Sequence, residues 1–401
     1  MVETLTPKNL EQVETALRWA FETDTPVELV GRGSKTGMGR PVAATHKLDL
    51  SGLTGVTLYE PEELVMRAGA GTSLAEIRQI LAKEGQHLAF EPPNLPLLYG
   101  DGEDEGSIGG VFACNLSGPR RLWSGAARDH ILGVTVVTGR GETVRSGGRV
   151  VKNVTGFDLS KLMAGSFGTL GAIAEVAFKV LPMAETERTI LLEGAGTGEA
   201  TEAMALALRG PFEITGAAYL PADIAAELGH SGALTALRIQ GPLPSVEAKS
   251  TALRCLLGAF GRVRYLDGGE GDAFWRNVGD ASFFADPPEN QVWRLSIPPA
   301  GAAAVISRLP DELDARWFLD RAGATVWLSM PPRPHAGQEL VRAAIGRGGG
   351  HATLIRADDA VRARVSVFQP QPTPLAALSR RVKDAFDPKG ILSPGRMVGE
   401  G

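Results

Sequence analysis

The chain is poor in cysteine. Only two of its 401 residues are cysteines, Cys114 and Cys255. An ordinary iron–sulfur cluster is held by four cysteine thiolates, so the chain has too few cysteines to bind such a cluster by itself. Two cysteines also exclude the disulfide-dense folds of small secreted domains. Any electrons that leave a redox cofactor of this chain would therefore need another carrier.

The sequence has neither an excess of positive charge nor a long hydrophobic run. With 41 basic and 46 acidic residues the formal net charge is −5, which excludes nucleic-acid binding through bulk charge. No stretch approaches the roughly 18 uncharged apolar residues of a membrane-spanning helix, and no secretion signal is visible at the first residues. We therefore expect no transmembrane segment and a cytoplasmic protein, which partner subunits could hold peripherally at the inner membrane.

Glycine, by contrast, is abundant, and many of the 50 glycines fall in three segments, at 31–37, 107–118 and 165–171. The first segment follows an apolar strand predicted at 27–30. Successive backbone N–H groups of such loops bind phosphate, and glycine lets the chain approach it closely. The loop does not end in the Gly-Lys-Ser/Thr of a Walker A motif, and Thr36 replaces the third glycine of a Rossmann fingerprint. Each segment alone is compatible with a tight connection, whereas a cofactor with two phosphates, a ribityl chain and a flat ring would use all three.

The length of the chain predicts two or three domains of about 150 residues each. Helix and strand patterns alternate at the start, beginning with a helix that Thr6 would cap and Pro7 would open. Residues 100–133 are predicted to be mostly loop. The pattern changes after Pro182, and residues 292–355 have the βαββαβ order of a ferredoxin-like unit. We predict boundaries at 1–182, 183–365 and 366–401.

These motifs resemble those of flavoproteins with the vanillyl-alcohol oxidase or p-cresol methylhydroxylase (PCMH) type of FAD-binding domain. The matching stretches are GRGSKTG at 31–37, SIGGVFACNLSG at 107–118, TGFDLSKLMAGSFGTLGAI at 155–173 and FDPKGILSPGRM at 386–397. Within that family the chain is similar to the FAD-binding GlcE subunits of glycolate oxidases, through residues 116–134, 148–171 and 349–357. The resemblance implies an α+β fold: a PCMH-type FAD-binding domain of two α+β subdomains, a ferredoxin-like α+β cap, and a C-terminal segment that returns to the FAD domain.

The resemblance also implies which residues bind FAD. The first loop would bind the pyrophosphate through backbone N–H groups, the second segment would line the phosphates and the flavin ring, and the third would contact the adenosine side. The implied cofactor-binding residues are Gly31, Arg32, Gly33, Ser34, Lys35, Thr36, Gly37, Ser107, Ile108, Gly109, Gly110, Asn115, Ser117, Gly118, Gly125, Asp129, Gly168, Gly171, Ile173 and Arg396.

Three features depart from the family pattern. The first loop contains no histidine, so we predict non-covalent FAD, and we expect Cys114 to pack as a small apolar residue. Ser393 stands where the C-terminal motif often has asparagine. We therefore expect the turn of the motif to form, but not any role of an asparagine side chain. The acidic insert at 101–105 precedes the second glycine segment, and we expect it to be a solvated loop.

The candidates for substrate chemistry are few. No two of the six histidines stand three or four residues apart, so no helix presents a histidine pair to a metal, and we predict no metal site. His351, which opens a predicted strand after two glycines, is the histidine best placed to face a flavin. A carboxylate substrate is best held by a bidentate arginine. The candidates are therefore His351, Arg356 and Trp275 as catalytic residues, with Arg276, Arg120, Arg121 and Lys152 as further groups that could meet an anion or a partner.

Three functions remain open from the sequence. The first, implied by the resemblance, is the FAD subunit of a multi-subunit glycolate (2-hydroxyacid) dehydrogenase, with a larger flavin subunit and an iron–sulfur subunit as partners. In this case the small number of histidines favours the larger subunit as the site of hydroxyacid oxidation. The second is a self-sufficient FAD-dependent hydroxyacid dehydrogenase. The third is a structural assembly subunit with a vestigial flavin site.

Overall fold

The amino-terminal part of the chain forms two main sheets. The computed structural model describes residues 2–100, 104–148 and 157–399. In the described part before residue 183 the strands are β1 (Glu3–Leu5), β2 (Val27–Val30), β3 (His46–Asp49), β4 (Val56–Glu60), β5 (Val65–Gly69), β6 (Gln86–His87), β7 (Ile131–Val137), β8 (Thr143–Gly147), β9 (Ala172–Lys179) and β10 (Leu181–Pro182). The helices are α1 (Leu10–Glu22), α2 (Leu74–Lys83), α3 (Pro96–Tyr99), α4 (Ile108–Cys114), α5 (Arg121–Ser124), α6 (Ala127–His130) and α7 (Leu159–Met163).

The two sheets differ in strand direction: one is parallel and the other antiparallel. Strands β1, β3 and β2 pair in parallel in that order, and α1 covers them with Val13 and Leu17, which are fully buried. Strands β4, β5, β9, β7 and β8 form an antiparallel sheet. Short β6 pairs with β10 and closes this part of the chain. The mixture of a small parallel sheet and a larger antiparallel one is α+β, as predicted.

Two local predictions were wrong. Helix α1 begins at Leu10, and its cap is Asn9, whose side chain accepts a hydrogen bond from the Gln12 N–H; Thr6 and Pro7 precede the helix. Asparagine is among the best capping residues, so the helix starts there. The stretch 100–133 contains three short helices, α4, α5 and α6. The glycines of this stretch are compatible with helix because α4 packs so closely on its neighbours that a larger side chain would not fit, as described below.

A second, larger sheet follows. Its strands are β11 (Thr186–Glu193), β12 (Gly216–Leu220), β13 (Leu234–Gly241), β14 (Arg262–Asp267), β15 (Gln291–Ser296), β16 (Arg316–Asp320), β17 (Thr325–Met330) and β18 (His351–Arg356). The helices after residue 183 are α8 (Thr197–Arg209), α9 (Ala222–Glu227), α10 (Leu243–Leu257), α11 (Gly269–Asp280), α12 (Ala302–Ser307), α13 (Gln338–Ile345), α14 (Asp359–Arg364) and α15 (Thr373–Phe386). None of the described helices is long and apolar enough to span a membrane.

The eight-stranded sheet consists of two ferredoxin-like units side by side. Strands β15 to β18 have the predicted βαββαβ order and pair as β16-β17-β15-β18. Strands β11 to β14 repeat this order and pair as β14-β11-β13-β12, a duplication that the sequence does not reveal. All pairs are antiparallel, and the units join where Tyr219 of β12 pairs with Leu319 of β16.

The two faces of this sheet are buried differently. One face packs under helices of its own units, as in the cluster that holds Trp293 and Leu295 with α8, α10 and α13 residues. The other face packs on the amino-terminal part, since Trp327 and Phe318 share a core cluster with Phe112 of α4.

The chain end returns to the amino-terminal part. The N–H of Val27 donates to the Ile391 carbonyl, and the N–H of Ser393 donates to the Val27 carbonyl, both at 2.8 Å. Buried Asp387 accepts hydrogen bonds from the backbone of Ile391 and Leu392 and from Lys383 of α15. The tail therefore lies along β2, directly before the first glycine loop.

Candidate cofactor-binding site

The three glycine segments converge on one cleft with an empty volume of about 740 Å³. Twelve of the predicted cofactor-binding residues line it together with Arg396; they are Gly31, Arg32, Gly33, Ser34, Lys35, Thr36, Ser107, Gly109, Gly110, Gly168, Gly171 and Ile173. Leu29, Met38, Ala113, Cys114 and Phe167 add apolar walls. Segments that are more than 130 residues apart in the sequence thus face one space.

Glycine is required at particular points of this cleft. Gly33 has φ +83°, in the left-handed region, and a Cβ there would meet no atom within 4 Å, so its backbone faces open space. A Cβ on Gly109 would lie 2.6 Å from the Cβ of Ala70, which shows how closely α4 packs on the end of β5. Ser107 caps α4 and accepts a hydrogen bond from the Gly110 N–H. The backbone of the cleft is therefore open at the first loop and tightly packed at the second.

Lys35 places a buried positive charge in the cleft. Its ammonium donates to the Ser34 hydroxyl at 2.8 Å and to the Glu105 carbonyl at 3.1 Å. Burial lowers the pKa of this lysine, and the nearby carboxylates of Asp104 and Glu105, which form no ion pair with it among the described contacts, oppose that shift. A partly buried ammonium gains from a closer anion, and a diphosphate is an anion of the right kind. The residues present therefore fit FAD, and that Lys35 and the backbone around Gly33 face its pyrophosphate stays a prediction.

Two arginines donate hydrogen bonds to backbone carbonyls of the first loop and the residues that follow it. Arg396, in the returning tail, donates to the carbonyls of Thr36 at 3.1 Å and Met38 at 3.0 Å and pairs with Glu28 at 2.5 Å. Arg362 of α14 donates to the Gly39 carbonyl at 2.7 Å. The shape of the loop thus depends on segments more than 300 residues away in the sequence. Gly37, at the end of the loop, packs on the Tyr99 ring outside the cleft.

The predicted residues at 115–129, and Ile108, are not among the residues that line the cleft. Asn115 ends α4 in the left-handed region and accepts from the Arg128 N–H at 2.9 Å. The Ser117 hydroxyl accepts from the Ala127 N–H at 2.8 Å. Gly125 packs on Asp129, which accepts from the Ala126 N–H at 2.8 Å. Ile108 is fully buried in the core, and Gly118 donates to the Phe90 carbonyl. Their direct contact with a cofactor remains a prediction.

The acidic insert is not simply a solvated loop. Asp104 forms an ion pair with Arg32 at 2.7 Å, and Glu105 pairs with Arg78 of α2. The hydrogen bond from Arg32 holds the pKa of the Asp104 carboxyl below its usual range. Asp104 is exposed, as expected, and Glu105 is partly buried; both pair with arginines of neighbouring elements, and the other members, at 101–103, lie outside the described residues.

Two of the predicted catalytic residues have protein partners. The Trp275 indole N–H donates to the Thr189 hydroxyl at 2.8 Å, and the Arg238 guanidinium lies over its ring at 4.9 Å. Arg356 donates to four backbone carbonyls, those of Asn290, Leu98, Ala285 and Pro287, at 2.7 to 3.0 Å. Neither side chain lines the cleft. A catalytic role for them stays a prediction without a contact that supports it.

His351 and the arginines at 120 and 121 lie at different depths. His351 opens β18 and is exposed; partial desolvation and the charges of Arg294 and Arg121 lower its pKa. Arg120 is buried, and its backbone N–H donates to the Glu91 carboxylate at 2.9 Å, whereas Arg121 at the start of α5 is exposed. Arg276, on α11, is exposed, and Lys152 lies outside the described residues.

Arg294 was not identified from the sequence. It lies on β15, and among the described residues it has neither a hydrogen bond nor an ion pair; Trp327 is under its guanidinium at 5.9 Å. Burial and the charges of Arg321 and Arg121 lower its pKa to about 10, while Tyr99 and Cys114 lie close enough to oppose them. Because side chains alternate along a strand, Arg294 lies on the face of Val292, opposite Trp293 and Leu295. A lone arginine among the apolar residues of a predicted strand was the signal available.

The comparisons with known proteins match this architecture. The family model of the FAD binding domain matches residues 3–147. The chain is 35% identical to the glycolate oxidase subunit GlcE of Escherichia coli strain K12 over 395 residues, 98% of this chain and 97% of that one. The chain belongs to the family of the glycolate oxidase subunit GlcE.

Two further similarities concern half of the chain in one case and the fold in the other. The chain is 28% identical over 190 residues to the glycolate oxidase subunit GlcD of Bacillus subtilis strain 168, 47% of this chain and 38% of that one. The structure of p-cresol methylhydroxylase with substrate bound superposes with a TM-score of 0.74 at 13% identity and covers 99% of this chain and 88% of that one. The predicted fold class and cofactor are confirmed: the chain is an FAD-dependent oxidoreductase with the PCMH-type fold.

Proposed function

We propose that this chain is the FAD-binding subunit of a multi-subunit 2-hydroxyacid dehydrogenase of the glycolate oxidase type, which passes electrons to a partner iron–sulfur subunit. The observation that carries the proposal is its likeness along nearly its whole length to a protein named as a glycolate oxidase subunit. The likeness of 47% of the chain to a protein named as a second glycolate oxidase subunit is consistent with a larger flavin partner.

The residues of the cleft support a functional flavin site. FAD, when bound, supplies two-electron chemistry. Lys35 would neutralise its pyrophosphate, Gly33 would let the backbone approach it, and Arg396 would keep the first loop in shape. Burial raises the pKa of the Cys114 thiol to about 11, so this side chain is a neutral thiol at pH 7. A neutral thiol and a loop without histidine favour non-covalent FAD.

The need for a partner follows from the cysteine content. The chain holds two cysteines, and a cluster takes four thiolates. Electrons that reach the flavin therefore continue to an acceptor outside this chain. We assign that acceptor to an iron–sulfur partner, and the domains at 1–182 and 183–365 to FAD binding and to the cap over it.

A self-sufficient dehydrogenase is the second candidate. It is favoured by one observation: the guanidinium of Arg294, on the sheet face that packs on the amino-terminal part, has no hydrogen-bond or ion-pair partner among the described residues. The vestigial-site alternative has no such support, because a buried and unpaired Lys35 would be an unexplained cost in an empty cleft.

The proposal is tested by removing FAD from this subunit inside the assembled complex. Gly33→Val is expected to abolish FAD binding, because valine is strained at φ +83° and would project into the cleft. Gly194→Val is the matched control: Gly194 has φ +86° and open space around its Cβ, and lies after β11 away from the cleft.

Complexes with partner subunits are purified, and flavin content and glycolate-dependent reduction of an external acceptor are measured. The expected result is that Gly33→Val complexes assemble, lack one FAD per complex and lose acceptor reduction, while Gly194→Val complexes keep both. Full acceptor reduction in complexes that lack this FAD would show a structural subunit. Acceptor reduction by the chain alone would favour the self-sufficient enzyme.

A further inference from the structure

The two described residues of the acidic insert, Asp104 and Glu105, contact both cationic side chains of the first glycine loop. The Arg32 guanidinium donates through Nε to the two oxygens of the Asp104 carboxylate, at 3.1 and 2.8 Å, and its Nη2 lies 2.7 Å from Oδ2. The Lys35 ammonium donates to the backbone carbonyl of Glu105 at 3.1 Å. The insert therefore occupies donors on both residues of the loop that carry positive charge.

Among the described residues, three basic side chains belong to the lining of the cleft, those of Arg32, Lys35 and Arg396. The guanidinium of Arg396 is committed to the protein, because it donates to two backbone carbonyls and pairs with Glu28. Arg32 and Lys35 therefore remain to neutralise a ligand. The diphosphate of FAD carries two negative charges at neutral pH, so its charge matches that of these two side chains.

Asp104 pairs with Arg32 on the outer side of the first loop. Arg32 lines both the cleft and a neighbouring groove with an empty volume of about 680 Å³, whereas Asp104 lines only the groove. The Asp104 carboxylate also accepts from the Gly106 N–H at 2.8 Å, which fixes its position. Gly106 lies against the loop, since a Cβ there would be 2.6 Å from the ammonium nitrogen of Lys35. The pair with Asp104 therefore directs the Arg32 guanidinium toward the groove.

We propose that Asp104 competes with the pyrophosphate of FAD for the guanidinium of Arg32 and thereby lowers the affinity of this chain for FAD. A guanidinium binds a carboxylate and a phosphate through the same pairs of N–H groups, so the edge that Asp104 occupies cannot serve both. The carboxylate would also repel a phosphate in the adjoining part of the cleft. FAD binding would therefore exchange the Arg32–Asp104 pair for a pair between Arg32 and phosphate. The inference rests on the proposed placement of the pyrophosphate beside the first loop.

The proposal is tested by fluorescence titration of the full-length apoprotein with FAD. In Asp104→Asn the competing charge is removed, and we expect the dissociation constant for FAD to fall by about three- to tenfold, because water screens a pair whose side chains are 35% and 44% exposed. Glu105→Gln is the matched control. It removes the same charge from the next residue, whose carboxylate pairs with Arg78 of α2, a residue that does not line the cleft. We expect its dissociation constant to stay within about twofold of the wild-type value.

A double-mutant cycle tests whether Asp104 acts through Arg32. Arg32→Gln should raise the dissociation constant for FAD by about tenfold, because a charged partner of the phosphate is lost. When Asp104→Asn is added to Arg32→Gln, it should no longer tighten FAD binding. The melting temperature gives a second readout. Asp104→Asn should leave that of the apoprotein nearly unchanged, and a fixed concentration of FAD should raise it more than in the wild type.

Three results would overturn the proposal. The first is FAD binding by Asp104→Asn that is no tighter than in the wild type; weaker binding would show that Asp104 positions the loop. The second is an equal gain in affinity in Glu105→Gln, and the third is a gain in Asp104→Asn that persists without Arg32, since either would show a general effect of negative charge. FAD binding by this chain needs no partner subunit, so a complex that fails to reduce an acceptor while these binding results hold would count against the proposed function alone.

Discussion

Arg396, five residues before the last residue of the chain, donates a hydrogen bond to the carbonyl of Thr36 at 3.1 Å and thereby joins the C-terminal tail to the first glycine loop. The same guanidinium reaches the Met38 carbonyl and the Glu28 carboxylate. The first glycine loop is therefore held in part by the end of the chain. If the loop faces the pyrophosphate, as we propose, the tail affects FAD by positioning the loop.

Replacing Arg396 with methionine should weaken FAD binding without unfolding the protein. The charged hydrogen bonds that order the loop would be lost, and we expect the FAD dissociation constant to rise by about 10- to 100-fold. Fluorescence titration of the apoprotein with FAD measures it, with Arg380→Met on the exposed face of α15 as the control. Equal FAD affinity in both variants would contradict a positioning role for Arg396.

The ion pair between Glu91 and Arg238 should contribute strongly to stability. Removing one partner of a buried pair leaves the other charge uncompensated, so Glu91→Gln should lower the free energy of unfolding by about 3 kcal/mol. Glu193→Gln is the comparison: its partner Arg264 is exposed, and the expected loss is below about 1 kcal/mol. Urea denaturation measures both. Similar losses in the two variants would show that Glu91 does not hold the sheet to the amino-terminal part.

Asp320 should make stability depend on pH. Burial raises the pKa of this carboxyl to about 6, from an ordinary value of 3.8. Between these values the folded state keeps a proton that the unfolded state has lost, so this residue lowers stability as pH rises from about 4 to about 6. The expected change is about 3 kcal/mol.

The measurement compares wild type with Asp320→Asn, which keeps an oxygen for the Arg321 N–H. The difference in unfolding free energy should move in favour of the variant as pH rises through this range. Asp311→Asn, at an exposed position, serves as the control. A difference between Asp320→Asn and wild type that is the same at pH 4 and pH 7 would refute the assignment.

The start of α1 can be tested directly. Asn9→Ala should lower the free energy of unfolding by about 1 kcal/mol, because the Gln12 N–H would lose its acceptor. Thr6→Ala should change it by less than about 0.5 kcal/mol, since Thr6 lies outside the helix. Urea denaturation distinguishes the two variants. A larger loss of stability in Thr6→Ala would show that Thr6 caps the helix, as the sequence predicted.

Local patterns predicted much of this fold correctly. The βαββαβ unit after residue 290 follows from alternating strands and amphipathic helices, and Ser73 caps α2 as its spacing from Glu76 predicts. The first unit of the sheet went unrecognised because its strands and helices share no repeated residues with the second. The wrong helix start and the missed helices at 108–130 arise from local alternatives that differ by about 1 kcal/mol and are decided by packing.

The sequence by itself determined the cofactor class and the need for an outside electron carrier. Glycine at the points where the backbone must be open or closely packed is a local requirement, and two cysteines are a fixed count. Only the tertiary structure decided which arginines are free. Arg238 and Arg294 look equivalent along the chain, yet the carboxylate of Glu91, in a loop 147 residues away, neutralises Arg238, and no carboxylate in the described part pairs with Arg294. Charge pairing depends on distance in space, and that distance exists only after the sheet has packed on the amino-terminal part.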